Sequence, residues 1–197
     1  MPERLTLDNG LEFLLIENSS IPAVSFNMGF HAGARYEPEE RAGLAVMVSR
    51  LLDEGTLTRS SLEIADSIES VGGAIDCEGG YERVAAFLGV LSKDLELGLD
   101  LLADIVMNPL FAAESLEMHR ERILAEIRSA MERPQVVAGC EFNELVYGKH
   151  PLHRPTYGYP HTVEKISVDD VREFHDQWFV PNNVTVSVVG DFKAEEL

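Results

Sequence analysis

Apolar residues recur along this chain with two different periods, and the two periods predict different secondary structures. Alternating or β-branched apolar positions, which are typical of strands, predict strands over residues 5–7, 11–16, 23–30, 74–78, 82–90 and 184–189. Asn9-Gly10 lies between the first two segments and supplies the positive φ angles of a tight turn. The sheet is therefore expected to begin with a hairpin.

Apolar residues spaced three or four positions apart predict helices over residues 41–54, 60–71, 92–107, 113–131, 135–146 and 171–178. Two of these helices begin with capping signals. Ser60 or Ser61 precedes Glu63, and Ser167 precedes Asp170. Strands and helices do not alternate strictly along the chain, so we expect an α+β fold in which a mainly antiparallel sheet packs against a layer of helices.

The helix predicted over residues 41–54 carries an informative face. Val46, Ser49 and Arg50 stand at positions i, i+3 and i+4, so they lie on the same side of that helix. This is the spacing at which a zinc-binding helix carries its ligands.

The segments around this helix resemble the signature region of the pitrilysin, insulinase and mitochondrial processing peptidase family. They are Arg35-Tyr36-Glu37-Pro38, Gly43-Leu44-Ala45 and Gly55-Thr56. In active members, the five positions filled here by residues 46–50 read His-x-x-Glu-His, which are two zinc ligands and a general base. The resemblance implies that this motif is degenerate here, with Val46, Ser49 and Arg50 at its chemical positions. It therefore implies no catalytic residue, no metal site and no cofactor in this chain, although active relatives use zinc.

The same resemblance covers nearly the whole chain and implies a processing-peptidase-like α/β sandwich. Residues 1–197 are expected to form one domain, the first half of a longer two-domain chain. Residues 193–197 are expected to begin a further helix.

The third zinc ligand of the family is a glutamate on a later helix, and Glu126 holds that position. It lies in Arg122-Ile123-Leu124-Ala125-Glu126-Ile127, and 75 residues separate it from Arg50. We hypothesise that the Arg50 guanidinium replaces the ion by pairing with the Glu126 carboxylate across the two helices. The alternatives are a solvated Glu126 on a charged helix and an Arg50 that points to solvent.

Family members bind peptide by adding it as a strand beside a Gly-Gly turn. Gly72-Gly73 followed by Ala74, Ile75, Asp76 and Cys77 resembles that segment, although Asn and Ala are commoner where Asp76 and Cys77 stand. Backbone hydrogen bonds hold such a peptide, so this capacity need not disappear with the zinc. The alternative is an ordinary strand without a ligand.

Several other histidines and the two cysteines are of a type that binds metals or forms bridges. His150, His153 and His161 lie in a Pro-rich loop that resembles a structural stretch of the family, and two helical turns separate His119 from Glu126, too far for one ion. Cys77 and Cys140 are expected to be free thiols, although the sequence leaves a disulfide open.

The charge and the apolar segments exclude some classes of function. Lys and Arg number 16 against 34 Asp and Glu, a net charge of −18, so a nucleic-acid surface is not expected. No segment reaches the roughly 20 apolar residues that a membrane span needs. Compartment stays open between the cytoplasm and a bacterial envelope reached with a signal that this sequence lacks, and the bacterial relatives of this degenerate type favour the envelope.

The sequence supports three hypotheses of function. The first is a non-catalytic homologue that binds extended peptide and pairs with a zinc-bearing catalytic subunit, or with a second copy of itself. The second is an active zinc metalloendopeptidase that uses Glu126 with histidines from elsewhere. The third is a structural subunit of the core type found in respiratory complexes.

Overall fold

The alternating segments form one sheet in the computed structural model, which describes residues 3–196. Its strands are β1 (Glu3–Thr6), β2 (Glu12–Glu17), β3 (Ala23–Phe30), β4 (Ala74–Gly79), β5 (Val84–Leu91) and β6 (Val184–Gly190). Their order across the sheet is β1-β2-β6-β3-β5-β4. β2 and β6 run parallel, and the other neighbouring strands run antiparallel. The predicted hairpin around Gly10, where φ is +89°, is confirmed.

The helices are α1 (Leu44–Leu51), α2 (Ser61–Ser70), α3 (Leu95–Met107), α4 (Ala113–Met131), α5 (Pro134–Tyr147), α6 (Pro160–Val163) and α7 (Val168–Trp178). The apolar core lies between these helices and one face of the sheet. That face carries Val24, Phe26, Leu88, Val186 and Val188, all of them buried. The predicted α+β architecture, a mainly antiparallel sheet packed with helices, is confirmed.

Helix α1 is shorter than the predicted 41–54 because the backbone turns at both of its ends. Gly43 precedes it with φ of +101°, and a Cβ there would lie 2.6 Å from the Tyr157 carbonyl oxygen. The buried Glu37 carboxylate caps the helix, since it accepts hydrogen bonds from the Gly43 and Ala45 N–H groups, each at 2.9 Å. At its other end the helix stops at Leu51, and the chain then turns to Gly55, where φ is +123° and an isolated bridge to Ser60 begins.

Both predicted helix caps are confirmed, and each forms a capping box. Ser60 caps α2 with Glu63, and Ser167 caps α7 with Asp170. These reciprocal bonds satisfy N–H groups that the first turn of each helix would otherwise leave without a partner.

Helix α5 forms where the pattern predicts it but contains no buried residue. Phe142, Leu145 and Val146 are 62%, 84% and 56% exposed, so its apolar side chains lie on the surface of the described residues.

The end of the chain forms a 3-10 turn at Ala194–Glu196, and Leu197, where the predicted helical start finishes, lies outside the described residues. Among residues 3–196, no helix combines the length and the apolar character that crossing a bilayer requires.

Candidate functional site

Arg50 on α1 and Glu126 on α4 face each other and form a bidentate ion pair. The Arg50 Nη1 atom donates to Glu126 Oε1 at 2.9 Å, and Nη2 donates to Oε2 at 2.6 Å. The parallel geometry matches the fork of a guanidinium to the two oxygens of a carboxylate. The predicted pairing is confirmed, and the alternatives of a solvent-directed Arg50 and a merely solvated Glu126 are wrong.

The pair lies at the border between the core and solvent. The Arg50 side chain is 22% exposed and that of Glu126 is 47% exposed. The Arg50 guanidinium carbon also lies 5.6 Å from the centre of the Tyr157 ring, a cation–π contact. The hydrogen bonds from Arg50 lower the pKa of Glu126 below its ordinary value, so this carboxylate is ionised at neutral pH.

The other two positions of the predicted degenerate motif offer little to a metal ion. The Val46 side chain is buried and has no donor atom. Ser49 is also buried, and its hydroxyl donates to the Val46 carbonyl oxygen at 2.9 Å.

These residues do not fit a zinc ion of the kind that the family resemblance implies. Zinc needs about four converging nitrogen, sulfur or carboxylate donors, and both Glu126 oxygens already accept from a cation. Across residues 3–196, no group of three or more His, Cys, Asp and Glu side chains converges suitably for a metal ion.

An apolar pocket opens beside the ion pair, between α4, α5 and the loop before α6. Its volume is about 400 Å³, and Glu126 and Tyr157 lie in its wall. The remaining lining is mostly apolar and includes Ile127, Met131, Val136 and Cys140.

A second polar pair holds α4 to the loop after α1. The His119 Nε2 atom lies 2.8 Å from Glu54 Oε1, and the imidazole is buried. Its Nδ1 atom is buried with no hydrogen-bond partner among the described residues. The sequence does not predict this pair, because nothing in the spacing relates residue 54 to residue 119.

The predicted peptide-binding segment forms the last strand of the sheet. β4 pairs with β5 on one side and, within residues 3–196, has no strand on its other side. Gly73 lies in the turn before the strand, where its N–H donates to the Ile68 carbonyl oxygen. Ile75 and Cys77 are half-buried, whereas Ala74 and Asp76 are exposed. An open strand edge of this kind offers unpaired backbone donors and acceptors.

A groove of about 540 Å³ runs between β4, α2 and the loop after α1. Asp53, Glu54 and Glu69 supply its acidic lining, and Ile64 and Ile68 are among its apolar residues. Burial raises the pKa of Asp53.

The remaining candidates have local roles. His150 caps a short 3-10 turn, where its Nδ1 accepts from the Leu152 N–H, and His153 contacts the His150 carbonyl oxygen. The His161 ring stacks on Tyr159. The two cysteines are both free, as predicted, and burial raises the pKa of the Cys77 thiol.

Asp104 is the shared acceptor of several hydrogen bonds that the sequence does not predict. This largely buried carboxylate accepts hydrogen bonds from Thr56 Oγ1 at 2.8 Å, Thr58 Oγ1 at 3.0 Å and Arg59 Nη1 at 2.6 Å. The contacts fix the loop after α1 against α3 and so support the end of the helix that carries Arg50. The adjoining Gly55-Thr56 signature marked this loop but did not reveal its partner.

Comparison with known proteins places these features in a family. A family model described as insulinase (peptidase family M16) matches residues 12–159, and one described as the peptidase M16 inactive domain matches residues 165–197. An uncharacterized zinc protease of Mycobacterium leprae is 30% identical over 194 residues, 98% of this chain and 44% of the relative. The uncharacterized zinc protease YmxG of Bacillus subtilis is 26% identical over 191 residues, 97% of this chain and 47% of that protein.

Solved structures show the same fold. A peptidase M16 inactive domain from Pseudomonas fluorescens superposes with a TM-score of 0.96 at 24% identity, covering 100% of this chain and 48% of that one. The periplasmic protease PqqL from Escherichia coli gives 0.88 at 21% identity, covering 99% and 22%. The chain thus spans about half the length of the curated relatives it matches. Because the insulinase model matches well over half of the sequence, this chain belongs to peptidase family M16.

Proposed function

We propose that this chain is a non-catalytic M16 homologue that holds an extended peptide and works beside a zinc-bearing homologous subunit. The observation that carries the proposal is the bidentate ion pair between Arg50 and Glu126. A guanidinium at this point repels a divalent cation and occupies both oxygens of the acid best placed to bind one. Val46 and Ser49 add no ligand and no general base, so these motif positions provide no residue for water activation or metal binding.

Peptide binding is proposed at the open edge of β4. An extended peptide bound there would pair with backbone groups, which do not depend on the lost zinc chemistry. The groove beside β4 provides space for side chains that point toward the helices. The proposed division of labour leaves cleavage to the partner and assigns part of peptide capture to this chain.

The domain organisation and compartment belong to the same proposal. We propose that residues 1–197 are the first of two similar domains in a longer chain, because the relatives it matches are about twice as long. The proposal extends to an envelope location, as the family resemblance of the sequence suggests. Cell fractionation against periplasmic and cytoplasmic marker proteins tests the location directly.

The proposal is tested by measuring cleavage, binding and association on one purified preparation. A peptide library with quenched fluorophores reports hydrolysis with and without added zinc, and anisotropy of labelled peptides reports binding. Affinity purification from cells that express the native gene identifies associated chains. The proposal expects binding without hydrolysis and co-purification of a homologue with an intact His-x-x-Glu-His motif.

Two other results would favour other functions. Zinc-dependent hydrolysis that Glu126→Gln abolishes would identify an active metalloendopeptidase. Recovery in a stable assembly without a His-x-x-Glu-His chain, together with no peptide binding, would identify a structural subunit.

A further inference from the structure

The backbone of β4 directs N–H and C=O groups to the open edge of the sheet at alternate residues. Gly80 N–H donates to the Arg83 carbonyl oxygen at 2.8 Å, which fixes the hydrogen-bonded pair at the end of the β4–β5 hairpin. Bonded and non-bonded pairs alternate along an antiparallel ladder. Counting back through the register, Asp76 and Glu78 bond to β5, whereas Ile75 and Cys77 direct their N–H and C=O groups to the open edge.

The side chains of β4 divide in the same alternating way. A Cβ at Gly79 would lie 2.8 Å from the Ala45 carbonyl oxygen, so Gly79, Cys77 and Ile75 point toward α1. Asp76 and Glu78 therefore share the opposite face of the sheet, where both are exposed. Neither carboxylate forms an ion pair with a Lys or Arg of residues 3–196.

The Asp76 carboxylate is also bonded to one of the backbone N–H groups at the open edge. Its Oδ1 atom accepts a hydrogen bond from the Cys77 N–H at 3.0 Å. A carbonyl group of an incoming strand would need this same N–H group. The strand can pair fully only when the Asp76 carboxylate moves away, and a cation on the incoming strand would draw it away.

An incoming strand would place its side chains close to Asp76. Because Asp76 bonds to β5, the residue opposite it on an antiparallel incoming strand would form a non-hydrogen-bonded pair, in which side chains are closer. The residue two positions along would lie opposite Glu78 on the same face. Opposite charges in such cross-strand pairs are favourable, and like charges are unfavourable.

We infer that Asp76, supported by Glu78, determines which peptide the β4 edge accepts, and that the accepted segment is extended and carries Lys or Arg at alternate positions. The inference rests on the proposed function, since it names the class of peptide for the same edge. The basic side chains pair with the two carboxylates, and the pairing releases the Cys77 N–H for the peptide backbone.

The test uses four labelled heptapeptides of matched length and measures their affinity by fluorescence anisotropy. The first alternates Lys with Val, the second and third replace Lys with Gln or Glu, and the fourth has the composition of the first with its lysines adjacent. The fourth peptide controls for general attraction to a chain of net charge −18. We expect the alternating Lys peptide to bind about tenfold more tightly than the Gln peptide, from two cross-strand pairs and the released donor.

Three variants separate the edge from the rest of the surface. Asp76→Asn should remove most of the Lys preference, Asp76→Lys should transfer the preference to the Glu peptide, and Glu164→Gln, an exposed carboxylate elsewhere, should change neither. Amide hydrogen exchange should become slower at Ile75 and Cys77 when the Lys peptide binds. This readout places the peptide at the edge independently of affinity.

The possible failures are distinct. Equal binding of the Lys, Gln and Glu peptides with protection at Ile75 and Cys77 would overturn the inference and leave peptide capture intact. Equal binding of the alternating and adjacent Lys peptides would also overturn it, because only general charge attraction would remain. Absence of binding by all four peptides, to wild type and to Asp76→Asn alike, would reject peptide capture at β4 itself.

Discussion

Breaking the ion pair between Arg50 and Glu126 should lower the free energy of unfolding only modestly, because both side chains are partly exposed to solvent. Glu126→Ala leaves a guanidinium that is only 22% exposed without its partner, so we expect a loss of about 1.5 kcal/mol. Arg50→Met leaves a carboxylate that water reaches, since the Glu126 side chain is 47% exposed, and should cost about 1 kcal/mol. The coupling energy between the two changes should be about 1 kcal/mol, because solvent screens the pair.

The coupling is measured by a double-mutant cycle, with urea unfolding of wild type, both single variants and the double variant at neutral pH. The pair between Arg35 and Glu82 provides the matched control. It has a single contact of 2.8 Å, its side chains are 37% and 66% exposed, and its coupling should stay below about 0.5 kcal/mol. Each kcal/mol should appear as a melting shift of about 2–4 °C for a domain of this size.

The acid dependence of the cycle provides an independent check. The pKa of Glu126 is lowered by Arg50, so the stabilisation is fully present above the ordinary pKa of a glutamate and is lost as pH falls through the lowered value. A coupling energy near zero at neutral pH, or one equal to that of the control pair, would refute the claim that this pair joins α1 to α4.

Three further substitutions test the buried Glu37, the close backbone contact at Gly158 and the hydrogen bonds of Asp104. Burial raises the pKa of Glu37 to about 7, so the folded state binds its proton more tightly, and stability should fall by about 3 kcal/mol as pH rises from 4.5 to 7. Glu37→Gln should flatten that dependence in urea titrations, and an unchanged slope would contradict the raised pKa of the buried Glu37. Gly158→Ala should lower the free energy of unfolding by about 3 kcal/mol or more, because φ is +70° and the new Cβ would lie 1.9 Å from the Ala42 carbonyl oxygen. Thermal unfolding measures the loss, and a value below about 1 kcal/mol would mean that the loop relaxes freely. Asp104→Ala should lower the free energy of urea unfolding by about 3 kcal/mol because Arg59 loses a buried partner, and Asp104→Asn should lower it less. Equal losses in the two variants would argue against hydrogen bonding as the role of Asp104.

Local patterns predicted most elements of the fold because the relevant interactions are short in sequence. The capping boxes at Ser60 and Ser167 and the turn at Gly10 involve residues within three positions of one another. Helix α4 begins and ends at the predicted residues, since its strong helix formers run without a break to the turn before Pro134. Helix α1 was predicted too long because the Glu37 cap and the Tyr157 contact at Gly43 depend on tertiary structure.

The candidate site was predictable where a family pattern supplied the long-range relation. Spacing alone does not connect Arg50 with Glu126, and only the resemblance placed them opposite each other. No comparable pattern linked Glu54 to His119 or the loop at Thr56 to Asp104, so those contacts appeared only in the structure. The hydrogen bond between Asp76 and Cys77 is local, but its meaning depends on β4 being the last strand of the sheet.

If the Arg50 guanidinium has taken the place of a metal ion, the purified protein should bind no zinc, and zinc stoichiometry measures this. Elemental analysis should be run on tag-free protein dialysed against zinc, on Glu126→Gln, and on the triple variant Val46→His, Ser49→Glu and Arg50→His. The triple variant controls for sensitivity, because it supplies the family's ligands in the same helix opposite Glu126. We predict near-zero zinc in the first two proteins and about one ion per chain in the triple variant. About one zinc per chain in the unmodified protein, lost in Glu126→Gln, would contradict the account and identify Glu126 as a working ligand.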